Sequence, residues 1–183
     1  MRRIALIGPG GAGKSTLARV LGERLGLPVF HLDGLYWQPG WVARPRAEWL
    51  RIQAEVVGGD RWIIDGNYSG SMDVRLAAAD MVLFLDLPRG VCVWRALCRA
   101  ILGRGRSRPD MAPGCPERVD LKFLWWIWTY SARRRPALLQ KLSGLPPNTR
   151  VLRLRSDRDV RDFLQQVPVP PDRVAAGGHA PAS

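Results

Sequence analysis

The segment Gly8 to Thr16, GPGGAGKST, constrains this chain more than any other. Gly8, Gly13, Lys14 and Ser15 satisfy the spacing G-x-x-x-x-G-K-[ST], in which a glycine-rich turn closes its backbone N–H groups around phosphate oxygens. The motif needs a buried strand before it and a helix after it. Arg3 to Ile7 reads as such a strand, and Ser15 to Leu25 places Leu17, Val20, Leu21 and Leu25 at helical spacing, with Gly26 as the stop. In that setting the backbone of Gly8, Gly10, Gly11, Ala12, Gly13 and Thr16 is expected to cradle a triphosphate. Lys14 would neutralise its β and γ phosphates, and the Ser15 hydroxyl would ligate Mg²⁺. The implied ligands are ATP and Mg²⁺.

Three further apolar runs, Val29 to Leu32, Arg61 to Ile64 and Met81 to Leu85, read as strands, and each finishes on a carboxylate: Asp33, Asp65 and Asp86. Helical periodicity over Arg46 to Val57 and Ser71 to Ala79 separates them, which predicts an α/β domain with a mainly parallel sheet and right-handed crossovers. Ligands of such sheets bind at the carboxyl ends of the strands, where Gly8 to Ser15 and all three aspartates fall. Arg89 to Leu102 continues as a helix and Glu117 to Leu142 as a long helical pattern interrupted near Pro136. Arg150 to Leu154 reads as a fifth strand and Asp157 to Gln166 as a closing helix. A single domain over residues 1–166 is expected, followed by a disordered tail, 167–183, of Pro, Ala and Gly.

The formal charge is +12, from 28 Lys plus Arg against 16 Asp plus Glu, and only Lys14, Lys122 and Lys141 among the basic residues are Lys. A cation set made of guanidinium suits phosphate recognition, although charge alone does not choose between nucleotide, nucleic acid and a membrane surface. Cys92, Cys98 and Cys115 lack the spacing of a zinc site or a disulfide framework, which fits a reduced, cytoplasmic setting. The apolar start of the chain is too short for a secretory signal, and the window Phe123 to Tyr130 is far below the roughly 20 residues of a membrane helix.

Several residues carry candidate chemistry. Asp33, in HLDGLYWQPGW, is placed to serve as base or orienter for an acceptor hydroxyl, or as a Mg²⁺ partner; the alternative is a turn-forming Asp beside core aromatics. Tyr36, Trp37, Asp65, Gly66, Asn67 and Arg75 are the candidate acceptor-binding residues, with DGNY (residues 65–68) open also to a purely turn-forming role. Asp86 is positioned either to hold Mg²⁺ with Ser15 or to cap the following helix. His31 reads as a buried histidine with its hydrogen bonds met.

Arg95 and Arg99 share one helix face and point toward Arg104, Arg106 and Arg108 in the Gly/Pro loop 103–116. Clustered cations repel unless an anion is present, so this loop reads as a mobile lid in which Arg99, Arg104 and Arg106 act with Lys14 on a transferring phosphate; a basic face for nucleic acid is the competing reading. The aromatic block Phe123, Trp125, Trp126, Trp128 and Tyr130 surrounds its helix, which points to burial, with base stacking or membrane contact as alternatives.

The segments GPGGAGKSTLAR, HLDGLYWQPGW, WIIDGNY, RLAAAD, FLDLPR, RGRSRPDMAPGCPERVD and VLRLRS, in that order over residues 3–166, resemble the bacterial DNA topology modulation proteins (FlaR-like) and adenylate kinase-like P-loop kinases. The resemblance implies a nucleoside-monophosphate-kinase-like P-loop fold with strand order 2-3-1-4-5, an Arg-bearing lid and an acceptor segment after the second strand. It implies an ATP-dependent phosphotransferase with a small acceptor, a nucleoside monophosphate being one candidate, or else a nucleotide-dependent DNA-binding protein. The chain departs from adenylate kinases in two places: residues 34–60 carry aromatics where those enzymes carry an Arg-rich site, and the lid has only Cys115 where a zinc-bearing lid has four ligands. No helix-turn-helix, zinc finger or RNP motif is evident to support sequence-specific nucleic-acid binding.

Overall fold

In the computed structural model, which describes residues 1–168, strands and helices alternate along the chain. They are β1 (Arg3–Ile7), α1 (Lys14–Leu25), β2 (Val29–His31), α2 (Leu32–Tyr36), β3 (Trp37–Gln38), β4 (Val42–Ala43), α3 (Arg46–Gly58), β5 (Trp62–Asp65), α4 (Met72–Ala78), β6 (Met81–Leu85), α5 (Arg89–Leu102), α6 (Leu121–Arg133), α7 (Arg135–Ser143), β7 (Arg150–Leu154) and α8 (Asp157–Gln166). Five strands form one parallel sheet in the order β2-β5-β1-β6-β7, which is the expected 2-3-1-4-5 once the small β3–β4 hairpin is set aside. The central strands are buried on both faces, which is why they read as continuous apolar runs.

Alternation along the strands splits the core in two. Ile4, Leu6, Leu83 and Leu85 face α1, α5 and α8 through Leu17, Leu21, Ala96 and Phe163. Ala5, Ile7, Val82 and Phe84 face α3, α4 and α7 through Trp49, Leu76 and Leu138. The register aligns the carboxyl ends: His31 and Leu6 both stand opposite Asp65, and Ile7 stands opposite Phe84. The phosphate-binding turn and the loops after β2 and β5 therefore emerge on one edge.

Four expectations change. Segment 103–116 is held in place: Glu117 N–H donates to the Arg106 carbonyl at 2.9 Å, Gly40 N–H to the Gly114 carbonyl at 2.8 Å, and Trp41 Nε1–H to the Pro116 carbonyl at 3.2 Å. Met111, Ala112 and Cys115 pack with Trp37 and Trp41. The lid thus docks on the β3–β4 hairpin, an element too short to leave a periodic signal.

The predicted helix from Glu117 begins only at Leu121, where the Asp120 carboxylate accepts from Phe123 N–H at 3.1 Å, and it breaks at Arg134 before α7. Its aromatics are not all buried, because Trp125 is 60% and Trp128 41% exposed. Finally, Val167 is a core residue rather than the start of a tail, while the remainder of the predicted tail from residue 169 lies outside the described residues. Among the described residues no helix is long and apolar enough to cross a membrane.

Candidate active site

The turn between β1 and α1 can be built only from glycine at two points. Gly8 has φ +141°, and a Cβ there would lie 2.3 Å from the Leu85 carbonyl oxygen; Gly11 has φ +76°, and its Cβ would lie 2.1 Å from that of Cys92. The turn therefore packs against the backbone of β6 and α5 and delivers Gly13 as the N-cap of α1. That helix has no side-chain cap and no acidic residue in its first turn, so its free N–H groups and positive dipole end are left for an anion. Lys14 Nζ donates to the Pro9 carbonyl at 2.9 Å. Burial lowers the Lys14 pKa, opposed by the negative charges of Asp65 and Asp33.

In front of this turn opens a cleft of about 1080 Å³, and Gly10, Gly11, Gly13, Lys14, Ser15 and Thr16 form one end of it. His31, Asp33, Trp37, Trp41, Asp65 and Tyr68 form the other. Asp33 is presented by the first turn of α2, exposed to the cleft, and its Oδ1 accepts from the Tyr68 hydroxyl at 2.8 Å. Tyr68 holds the unusual backbone angle φ +23°, a local strain at the residue that orients this carboxylate. Burial and the neighbouring Asp33 push the Tyr68 pKa up, so the phenol stays protonated and donates.

Asp65 is almost fully buried at the end of β5. Its Oδ1 lies 3.1 Å from His31 Nδ1, and its Oδ2 has no hydrogen-bond partner. Burial works to lower the His31 pKa, but the hydrogen bond and charge of Asp65 outweigh it and raise the value. His31 is therefore a cleft residue paired with a carboxylate, not the buried histidine expected from its apolar strand.

The remaining expected residues divide. Gly66 and Asn67 both line the cleft, and the Asn67 amide is bound to the phosphate loop: Gly8 N–H donates to Asn67 Oδ1 at 3.0 Å, and Asn67 Nδ2–H donates to the Gly8 carbonyl at 2.7 Å. Gly8 and Ala12 shape the turn from behind, outside the cleft lining. Tyr36 stands behind the wall, packed on Trp49 and Tyr68 with ring centroids 5.2 and 4.8 Å away. Arg75 does not reach the cleft: it is 2% exposed and donates to the Gly66 and Asn67 carbonyls at 3.3 and 2.8 Å and to Gln53 and Ser71. It braces the Gly66–Asn67 turn, and burial lowers its pKa to about 10.

The lid arginines also sort differently from expectation. Arg99 and Arg108 line the cleft, both paired with the buried Glu117, and Arg108 additionally with Asp110 at 2.8 Å. Burial, with the charge of Arg108, lowers the Arg99 pKa. Arg104 and Arg106 are exposed on the outer side of the loop, because their backbones are used to close it on Gly103 and Glu117. Arg95 leaves the series to pair with Asp157 at 2.6 Å.

Asp86, the expected Mg²⁺ ligand, does not line the cleft. Its Oδ2 accepts from Arg135 Nε at 2.9 Å and Arg153 Nε at 2.7 Å, in a separate recess lined also by Pro88 and Arg155. Residues absent from the expected site include Glu117, Asp110, Arg118 and Arg19, all on the cleft. Glu117 carries a signal in the sequence, as an acidic residue at the foot of an arginine-rich loop. Phe123, expected only as part of the aromatic block, also lines the cleft, beside Gly10.

No protein-family profile matches this sequence, and no curated protein matches it. Among solved structures, a shikimate kinase from Acinetobacter baumannii in complex with shikimate superposes with a TM-score of 0.56 at 16% identity, over 98% of this chain and 96% of that one. Shikimate kinase from Bacteroides thetaiotaomicron gives 0.56 at 18% identity, over 90% and 95%. The chain has the α/β fold of shikimate kinase-type P-loop proteins.

Proposed function

We propose that the protein is a Mg²⁺-ATP-dependent phosphotransferase that moves the γ-phosphate to a hydroxyl of a small acceptor. The observation that carries this reading is one cleft with Lys14 and the free N-terminus of α1 at one end and the Tyr68-held Asp33 at the other. Such transfers need little covalent chemistry from the protein and much positioning and charge stabilisation.

In this reading the glycine turn and Lys14 hold the donor phosphates. The acceptor hydroxyl attacks the γ-phosphorus, the bond to the bridging oxygen breaks, and ADP leaves. Asp33 takes the acceptor proton on Oδ2, since Oδ1 is occupied by Tyr68. Arg99 and Arg108, held by Glu117, offer guanidinium charge over the transferring group.

The residues also fit a divalent cation. Ser15 lies on the cleft, and Asp65 brings a buried oxygen, Oδ2, that has no hydrogen-bond partner. Among the described residues no group of three or more His, Cys, Asp or Glu stands together, so a cation here would take most of its ligands from phosphate and water, as Mg²⁺ does. Ser15 and Asp65 are the residues that would hold it, directly or through water, and it would supply neutralisation of phosphate charge.

The test is a coupled ADP-release screen over nucleoside monophosphates and small hydroxylated metabolites, with Lys14→Ala as control. An acceptor should raise turnover well above the rate with water alone, and Lys14→Ala should abolish the increase. A screen in which no acceptor exceeds the water rate would remove the kinase reading.

A further inference from the structure

We infer that the outward faces of α5 and α6 form a docking surface for a lipid bilayer with anionic headgroups, on which the protein sits without crossing it. The surface lies outside the cleft lining, and the inference does not depend on the kinase reading.

The sequence of α5 already carries half of this surface. Val91, Trp94, Ile101 and Leu102, with the half-buried Cys98 between them, recur at helical spacing and form one stripe, while Cys92, Ala96 and Ala100 on the opposite side are buried. The stripe is left in water: Trp94 is 65% and Leu102 83% exposed. The next helix repeats the arrangement. Leu121, Trp125 and Trp128 share one side of α6 and are exposed, Leu121 by 76%, whereas Ile127 and Tyr130 are buried and Phe123 and Trp126 line the cleft. The two helices pack on each other, and the Arg89 guanidinium lies 4.2 Å from the ring centroid of Trp128, joining the stripes at one end. Exposed apolar groups gathered in this way mark a contact surface, which scattered surface residues do not.

Charge decides what the surface meets. Neither helix carries an acidic residue, although the chain has 16 Asp and Glu. The carboxylates that adjoin the helices are engaged: Asp120 caps α6 through Phe123 N–H, and Glu117 and Asp157 pair with Arg99 and Arg95. Arg89, Lys122, Arg133 and Arg134, on these helices and at the end of α6, are exposed. Arg89 and Arg134 are set on the indoles of Trp128 and Trp126. Tryptophan interleaved with cations is the chemistry of a bilayer interface. Indoles sit there at headgroup level, aliphatic side chains reach the acyl boundary, and Lys and Arg meet lipid phosphate.

Two other occupants match the surface less well. A second copy docked about a two-fold axis would lay this face on itself and bring cation to cation, with no acidic residue on either helix to neutralise them. Single-stranded nucleic acid would use the indoles and the cations, but bases take flat stacking platforms and leave the aliphatic part of the stripe, Val91, Ile101, Leu102 and Leu121, without a partner. A bilayer takes both kinds of apolar group together with the charge.

The test sediments the full chain, without nucleotide, with vesicles of phosphatidylcholine alone or with about 30% phosphatidylglycerol. The protein should pellet with the anionic vesicles, and neutral vesicles should hold it about 10-fold more weakly or less. Binding should fall as NaCl rises from about 0.05 M to about 0.5 M. Trp94→Ser combined with Trp125→Ser should weaken binding to the anionic vesicles about 10-fold or more. Tm and the affinity for an ATP analogue should stay as they were, since neither side chain lines the cleft. Should that double variant melt early, Lys122→Glu with Arg133→Glu, which leaves the apolar stripes whole, should give a loss of the same order. Equal binding to neutral vesicles, binding to neither kind, or variants that bind as the original chain does would each overturn the inference. So would light scattering that shows a dimer lost in the tryptophan variant, or an oligonucleotide held by the same tryptophans in place of vesicles.

Discussion

Asn67 and Gly8 exchange two hydrogen bonds, one in each direction, and so lock the loop after β5 to the first residue of the phosphate turn. The pair ties the acceptor side of the cleft to the donor side through a single amide. An amide is the only side-chain group of that length that both donates and accepts in this geometry.

Asn67→Ala leaves the N–H and carbonyl of Gly8 without those partners in a half-buried site, at a cost of about 1–3 kcal/mol. For a domain of this size that is a fall in Tm of roughly 2–4 °C per kcal/mol. Asn67→Asp should cost more, because a carboxylate oxygen then faces the Gly8 carbonyl. Both variants should also weaken binding of a non-hydrolysable ATP analogue. Thermal melts and titration calorimetry check this, and an alanine variant with unchanged Tm and Kd would show that the pair holds nothing in place.

Asp33→Asn should lower kcat by about 10²- to 10⁴-fold if its carboxylate takes the acceptor proton. Binding of the ATP analogue should hardly move. Tyr68→Phe removes the donor that orients Asp33, a hydrogen bond to a charged group worth roughly 1.5–3 kcal/mol, so kcat should fall by about 10-fold or more. Steady-state rates for both variants, set beside analogue affinity, separate a catalytic loss from a binding loss.

The fold was legible in the sequence because buried parallel strands leave an unbroken apolar signature, as in Arg3–Ile7 and Met81–Leu85, and glycine turns leave a fixed spacing, as after Ile7. Which residues line the cleft was legible for the phosphate turn, from its motif, and for Asp33 and Asp65, from the strand ends. Asp86 sits at an equivalent strand end, yet Arg135 and Arg153, from elements 49 and 67 residues onward, claim its carboxylate. Arg75 carries the residue type of an anion binder, but a helix facing the core turns it inward. The exposed Arg104 and Arg106 and the cleft-lining Arg108 alternate along one loop, and only the loop's closure on Glu117 decides which side each faces.

The His31–Asp65 contact gives a stability term with a definite pH window. His31 has its pKa raised above the ordinary 6.5 in the folded chain. A raised value means that the folded state holds the proton more tightly than the unfolded chain. The contribution is therefore complete below about pH 6.5, where both states are protonated, and is lost as pH rises through the folded value. Comparing Tm of the nucleotide- and metal-free protein with that of His31→Asn should show the original chain more stable near pH 6 and the gap shrinking above neutrality. A gap independent of pH would assign His31 a packing role alone.

Asp86→Asn separates structural from metal-binding duty at the end of β6. The Asp86 side chain is 8% exposed and carries both Arg135 and Arg153, while the main cleft is lined without it. Losing its charge leaves two partly buried guanidinium groups facing a neutral amide, so the variant should be less stable by about 1–3 kcal/mol. Because α7 and β7 are held to β6 through this pair, the loss should appear as a lower Tm with or without nucleotide. The Mg²⁺ concentration giving half-maximal ADP release should stay within about twofold, whereas Asp65→Asn should raise it about 10-fold or more, as loss of an outer ligand does. A large shift for Asp86→Asn with little change for Asp65→Asn would return the metal to the end of β6.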